Sequence, residues 1–170
     1  MAKVIAVAFA VGLLIGATLL IAFRRNRGTP ANAGTFAVFQ GRLDGRPVFA
    51  TIDTSLRNFP DKSKFPYFLS IETKLESPTP DGLTRVNEAD ELNAWEDELE
   101  TRLKSVGEVV FVGRVTWNGR RELLYYTDGD RRFEQALTVL SGSTSMRSFR
   151  FSSERDDRWS KANYWLTLHN

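Results

Sequence analysis

The chain has no cysteine, one histidine and two methionines in 170 residues. Without cysteine there can be no disulfides, no thiolate metal sites and no thiol nucleophile, while either a reducing or an oxidising compartment remains open. The one histidine, His169, lies next to the C-terminus, where chains are often loosely held, so it is not expected to act as a catalytic base. Phosphate-cradling glycine runs are missing too. Gly41, Gly45 and Gly129 have the spacing of neither a Walker A loop nor a dinucleotide fingerprint, which sets aside an ATPase or a dehydrogenase. Ser141, Ser143, Thr144 and Ser145 follow an expected helix as a loop, with no adjacent base to activate a hydroxyl. A large excess of one charge is also lacking. Four of the 23 basic residues, Lys3, Arg24, Arg25 and Arg27, precede residue 28, whereas all 21 acidic residues follow it. The remainder is near neutral and lacks the strong basic field of most nucleic-acid-binding domains.

What is present is apolar and aromatic: 42% hydrophobic residues, with twelve Phe, four Trp and four Tyr, enough to build the core of one domain. The first uncharged stretch, residues 4–23 with Val4 and Phe23 at its ends, is long enough for a helix to span about 30 Å of hydrocarbon and is expected to be a transmembrane anchor. A cleaved signal peptide is the alternative, with Ala31, Asn32 and Ala33 as a small-x-small pattern, but the apolar run is long and the arginines fall where a cleavage region is uncharged. Arg24, Arg25 and Arg27 outnumber Lys3, which orients the C-terminal part toward the cytoplasm as a single-pass protein of the bacterial inner membrane. Ala8, Gly12 and Gly16 share one face of that helix and could admit a second helix, although small lipid-facing residues are the blander reading. The expected organisation is an anchor with a basic flank over 1–27, a flexible linker over 28–34 and one domain over 35–170.

Within the domain, Phe36, Val38, Val48, Ala50 and Ile52 alternate around Asp44-Gly45, which predicts an N-terminal β-hairpin. Tyr67, Leu69, Ile71 and Thr73 predict a strand that ends before Pro78 and Pro80. Leu92, Trp95, Leu99, Leu103 and Val106 recur at helical spacing, predicting a helix over about 88–106 with Asn87 as cap and Gly107 as stop. Two strands then flank Asn118-Gly119. A shorter helix carries Phe133, Ala136, Leu137 and Leu140 behind Asp128 or Asp130, and a strand runs around Phe149 and Phe151. The order is that of a ferredoxin-like βαββαβ domain of α+β class, extended by the hairpin. The tail around Trp159, Tyr164, Trp165 and Leu168 is expected to pack along the sheet or add a last strand.

Several segments carry a family resemblance. Pro80-Asp81-Gly82-Leu83, Glu91 and Trp95, Phe111-Val112-Gly113-Arg114-Val115-Thr116, Asn118-Gly119-Arg120-Arg121-Glu122 and Tyr125-Tyr126 together resemble the bacterial domain of unknown function family 695. Asp156-Asp157-Arg158-Trp159 with Tyr164 resembles the ending of the ribonuclease E regulator B family, ferredoxin-like inhibitors of an RNA-degrading enzyme. The resemblance runs over roughly 36–168 and implies a fold more than an activity. The first family usually lacks the anchor, and the spacing of the aromatics Trp159 and Tyr164 in the tail is looser than in the family ending.

The expectation is therefore a membrane-anchored, non-enzymatic protein-protein interaction module with the bilayer and an unidentified protein as partners, no cofactor, no metal and no nucleic acid. Arg114, Arg120, Arg121, Trp159 and Tyr164 are its candidate interaction surface. The alternative is a regulator of RNA metabolism, since Arg114, Arg120, Arg121, Arg131 and Arg132 interleave with Phe111, Trp117, Tyr125 and Tyr126. Those arginines could also meet anionic lipid headgroups. A carboxylate-based hydrolase drawing on Glu96, Asp97, Glu98 and Glu100 is a third class, although their spacing reads first as the solvated face of the helix. Asp156 and Asp157 read as a charged turn before an aromatic strand.

Overall fold

Asp44-Gly45 and Asn118-Gly119 both adopt left-handed pairs, with φ of 50° and 76° in the first and 49° and 74° in the second. This two-residue turn has the twist of paired strands, so each pair closes a hairpin. The computed structural model describes residues 34–144 and 146–167. Its strands are β1 (Phe36–Leu43), β2 (Arg46–Asp53), β3 (Tyr67–Lys74), β4 (Val109–Trp117), β5 (Arg120–Thr127) and β6 (Arg150–Arg155). The helices are α1 (Val86–Val106), α2 (Arg131–Ser141) and α3 (Ser160–Leu166), and two short 3-10 turns, Thr54–Asn58 and Lys62–Lys64, join β2 to β3.

All strand pairings are antiparallel, and the six strands form one sheet in the order β1-β2-β4-β5-β3-β6. The part from β3 onward has the split βαβ arrangement, with β3 and β5 at its centre. The β1–β2 hairpin prolongs the sheet beyond β4. A β-bulge between Phe111 and Gly113 shifts the register of β4 on β5. It reverses which residues of β4 face which side: Phe111 packs with one core cluster, while Val112 and Val115 belong to the other. Gly113 allows the close approach there, because a Cβ would lie 2.4 Å from the Thr51 carbonyl oxygen.

One face of the sheet is covered by α1 and α2, burying Leu69, Ile71, Leu123 and Tyr125 against Trp95, Leu99, Leu103, Phe133 and Leu137. The other face, with Ile52, Phe68, Val115, Leu124 and Tyr126, is covered by the β2–β3 connection and by α3 through Leu56, Phe65, Trp159, Ala162 and Leu166. Of the two expectations for the tail, packing on the sheet holds and a last strand does not. It forms a helix that closes the second face.

The membrane reading is corrected. No helix among the described residues is long and apolar enough to cross a membrane. The longest of them, α1, carries acidic and basic residues along its exposed side and buries only a stripe. The segment from Val4 to Phe23 that was expected to cross a membrane, the basic residues after it, most of the 28–34 segment, the Ala31-Asn32-Ala33 pattern, Ser145, Leu168 and His169 lie outside the described residues. Nothing described supports the single-pass topology, the bilayer as partner or the inner-membrane localisation, so these expectations are withdrawn from the α+β fold described here.

Candidate functional site

Helix α1 starts at Val86, two residues before the sequence suggested, with Arg85 in extended conformation ahead of it and no side-chain cap from Asn87. Its apolar stripe includes two carboxylates, Glu88 and Glu96, both buried. Glu88 accepts hydrogen bonds from the backbone N–H groups of Glu76 (2.7 Å) and Ser77 (3.1 Å) and pairs with Arg147. Burial alone would raise its pKa, but these donors outweigh burial and hold it below the usual carboxylate value. Arg147 also donates to the Thr73 hydroxyl (3.1 Å) and the Lys74 carbonyl (2.7 Å), tying the β6 entrance to β3 and α1.

Glu96 is 7% exposed and bridges two arginines, Arg121 at 2.9 Å through one oxygen and Arg114 at 2.8 Å through the other. This corrects the expectation of a solvated Glu96. Arg121 is equally buried and also donates to the hydroxyls of Thr116 (3.3 Å) and Thr84 (3.0 Å). Burial pushes its guanidinium below the usual range, and the Glu96 carboxylate opposes that shift. Arg114 lies nearer the surface and also donates to Asn93 (3.1 Å). Glu98 and Glu100, in contrast, pair with Arg102 and Lys104 along the exposed side of α1. The converging carboxylates that a hydrolase would need are therefore not formed by Glu96, Glu98 and Glu100.

Of the candidate arginines, Arg114 and Arg121 meet at Glu96 while Arg120 does not join them. Arg120 and Arg121 are neighbours on β5, so they point to opposite faces of the sheet. Arg120 pairs with Glu72 (3.5 Å), which also holds Arg150 (2.8 Å). On that face Glu122 accepts from the Ser70 hydroxyl, and burial keeps its carboxyl above the usual value, reinforced by the neighbouring Glu72. Tyr125 and Tyr126 are core residues, buried on opposite faces. The flat arginine–aromatic surface on which an RNA-binding reading rested is not formed.

Trp159 is fully buried and Tyr164 is 39% exposed, so the two aromatics of the tail do not share a surface. The Trp159 ring stacks on Tyr126 with centroids 4.0 Å apart, and its indole N–H donates to the carbonyls of Phe65 (3.0 Å) and Lys62 (3.2 Å). Asp156 turns the chain into α3. Its carboxylate accepts from the Tyr126 hydroxyl (2.6 Å), the Ser160 N–H (3.0 Å) and hydroxyl (2.7 Å), and the Lys161 N–H (2.9 Å). Burial would raise this carboxyl, but the donors hold it down to about 2. Tyr164 and Trp165 meet edge to face, 5.0 Å apart, beside a groove of about 170 Å3 that they line together with Phe39, Gly41, Val48 and Ala50.

A further apolar surface lies on the opposite face of the same β1–β2 ribbon and was not foreseen. On the α1 side of the β1–β2 ribbon, Phe36, Val38 and Phe49 are 38%, 55% and 36% exposed. Phe36 rests on Phe111 at the border of the core, with centroids 6.2 Å apart. Val38 pairs across the ribbon with Thr51, and Gln40 with Phe49. Residues that would be half-buried in a longer two-layer fold here face solvent.

The profile of the Family of unknown function (DUF695) matches residues 35–166, from the start of β1 to the end of α3. The chain belongs to this family. No curated protein and no solved structure matches the chain. The segments through which it resembles the DUF695 family are placed at structural joints. Gly82, at φ of 77°, accepts the Gly119 N–H at 2.8 Å, and a Cβ on it would lie 2.8 Å from that nitrogen. The Pro80–Leu83 loop of this DUF695 chain is thereby seated on the β4–β5 turn. Trp95 lies in the α1 core, and Tyr126 and Trp159 in the α3 core.

Proposed function

We propose that the domain is a protein-binding module that acts through the β1–β2 ribbon rather than through a catalytic centre. The observation that carries this reading is the exposure of Phe36, Val38 and Phe49 on one face of the ribbon, beside a sheet edge. Contiguous exposed apolar residues on a sheet are costly in water and mark surfaces that are covered in use. The polar clusters support the same reading, because each acts as a joint between elements. Glu96 joins α1 to β4 and β5, Glu88 joins α1 to the β3–α1 loop, and Asp156 joins α3 to β5.

Photo-crosslinking in living cells tests it. A benzophenone side chain replacing Phe36 or Phe49 should give discrete protein adducts, whereas the same group replacing Val139, an isolated exposed residue of α2, should give none. Equal yields at all three positions, or none at the ribbon, would sink the reading.

A further inference from the structure

The sheet has two edges of different character. Edge β6 is six residues long, and its charges are engaged locally: Arg150 with Glu72, Glu154 with Lys161 and Arg155 with Asp157. Charged side chains of this kind blunt an edge against pairing with another chain. Edge β1 has eight residues, Phe-Ala-Val-Phe-Gln-Gly-Arg-Leu, with one charge, no proline and no bulge against β2. Among the described residues it has a strand neighbour on one side only.

The hairpin fixes which of its backbone groups face outward. In a two-residue turn the flanking pair, Leu43 and Arg46, is hydrogen-bonded, so the odd-numbered residues of β1 bond to β2. The Thr54 N–H donating to the Thr35 carbonyl at 2.8 Å keeps that alternation at the far end. The N–H and C=O groups of Phe36, Val38, Gln40 and Arg42 therefore point away from β2. Their side chains share the α1-side face, where Phe36 and Val38 are exposed.

Resting on the binding reading above, we infer that the partner of this ribbon is a second copy of the chain, added edge to edge through an antiparallel β1–β1 pairing. A two-fold axis normal to the sheet keeps like faces together and requires paired residue numbers to have an even sum. With Phe39 on the axis, Val38 lies opposite Gln40 of the second copy, and Phe36 opposite its Arg42. All the outward groups of 36–42 are then used, in about eight backbone hydrogen bonds. The charges fit this direction. Arg42, the single cation of the strand, comes to the Phe36 ring of the second copy, where a cation–π contact is available, whereas a parallel pairing would bring Arg42 toward Arg42. The exposed apolar side chains of both ribbons form one continuous face on a twelve-stranded sheet. One strand pairing lies at the small end of specific interfaces, so the dimer dissociates on dilution.

Sedimentation velocity of the full chain across a dilution series should show a concentration-dependent monomer–dimer equilibrium. Gln40→Pro removes an outward N–H and leaves the β1–β2 bonds intact, so self-association should weaken by about tenfold or more with an unchanged circular dichroism spectrum. If that variant fails to fold, Val38→Lys, at an exposed position, should have the same effect through charge. A wild-type chain that stays monomeric throughout, or folded variants that associate like wild type, would overturn the pairing. A benzophenone side chain replacing Val38 separates this failure from failure of the binding reading. An adduct of twice the 19.3 kDa chain mass supports the dimer. Adducts of other masses alone overturn self-pairing and leave a binding ribbon, and no adduct overturns both.

Discussion

Glu96 sits at a position of α1 where the helical spacing of Leu92, Trp95, Leu99 and Leu103 calls for an apolar residue, and its burial is made tolerable by two guanidinium partners. The partners are not equivalent. Arg121 is enclosed between α1 and β5, whereas Arg114 reaches solvent at the margin of the ribbon. Removing one member of a buried pair leaves the other charge without compensation, a cost of about 3–5 kcal/mol, while an exposed pair contributes about 1 kcal/mol or less. Urea denaturation of Glu96→Ala should therefore show a loss in the larger range, and Arg114→Ala one in the smaller. Equal losses would mean that Arg121 is not desolvated as described. The sequence held a sign of this site: Glu88 and Glu96 stand four residues before and after Leu92, on the stripe rather than opposite it. Charge pattern alone assigned Glu96 to solvent, because its partners, Arg121 and Arg114, come from strands farther along the chain.

At the scale of elements, features set by short-range chemistry were legible and those set by distant contacts were not. Asp44-Gly45 and Asn118-Gly119 are turns because few other dipeptides tolerate two left-handed residues, and Gly107 stops α1 as its position suggested. Helix α3 escaped notice. Its apolar residues, Trp159, Ala162 and Leu166, do recur at helical spacing, but seven residues make a helix too short to persist without tertiary support. That support is the Asp156 carboxylate below α3 and the Trp159 ring, held at a left-handed φ of 55° by stacking and two hydrogen bonds. Asp156 gives α3 a pH dependence of definite sign. A carboxyl depressed from 3.8 to about 2 contributes stability in full above pH 3.8 and loses it as pH falls toward 2. The shift corresponds to roughly 2 kcal/mol. Asp156→Asn, which keeps one acceptor oxygen but cannot receive all the donors, should be less stable than wild type at neutral pH by about that amount. The two curves should converge as pH falls below 3.8, since Glu88 and the other carboxylates titrate in both proteins. A difference that stays constant down to pH 2 would mean that Asp156 acts through packing and not through its charge.

At the scale of the whole molecule, one sheet separates two cores, and its strands are unequally enclosed. β5 lies between β4 and β3 and is covered on both faces, by α1 and α2 through Leu123 and Tyr125 and by α3 through Leu124 and Tyr126. β1 has one described neighbour, and the α1-side face of its ribbon is open. Exchange of an amide requires its hydrogen bond to open, so enclosure sets the free energy each strand must supply. Native-state hydrogen exchange should find the amides of Leu123, Leu124 and Tyr125 opening only with global unfolding. In dilute protein, β1 should alternate, with Ala37, Phe39 and Gly41 protected by β2 while Val38, Gln40 and Arg42 exchange near the rate of an open chain. Raising the concentration should slow the second set alone, because those are the amides a second β1 edge would engage. Uniform protection along β1 at every concentration would show its outer edge already occupied within one chain, and β5 amides exchanging as fast as those of β1 would contradict a sheet built around β5 and β3.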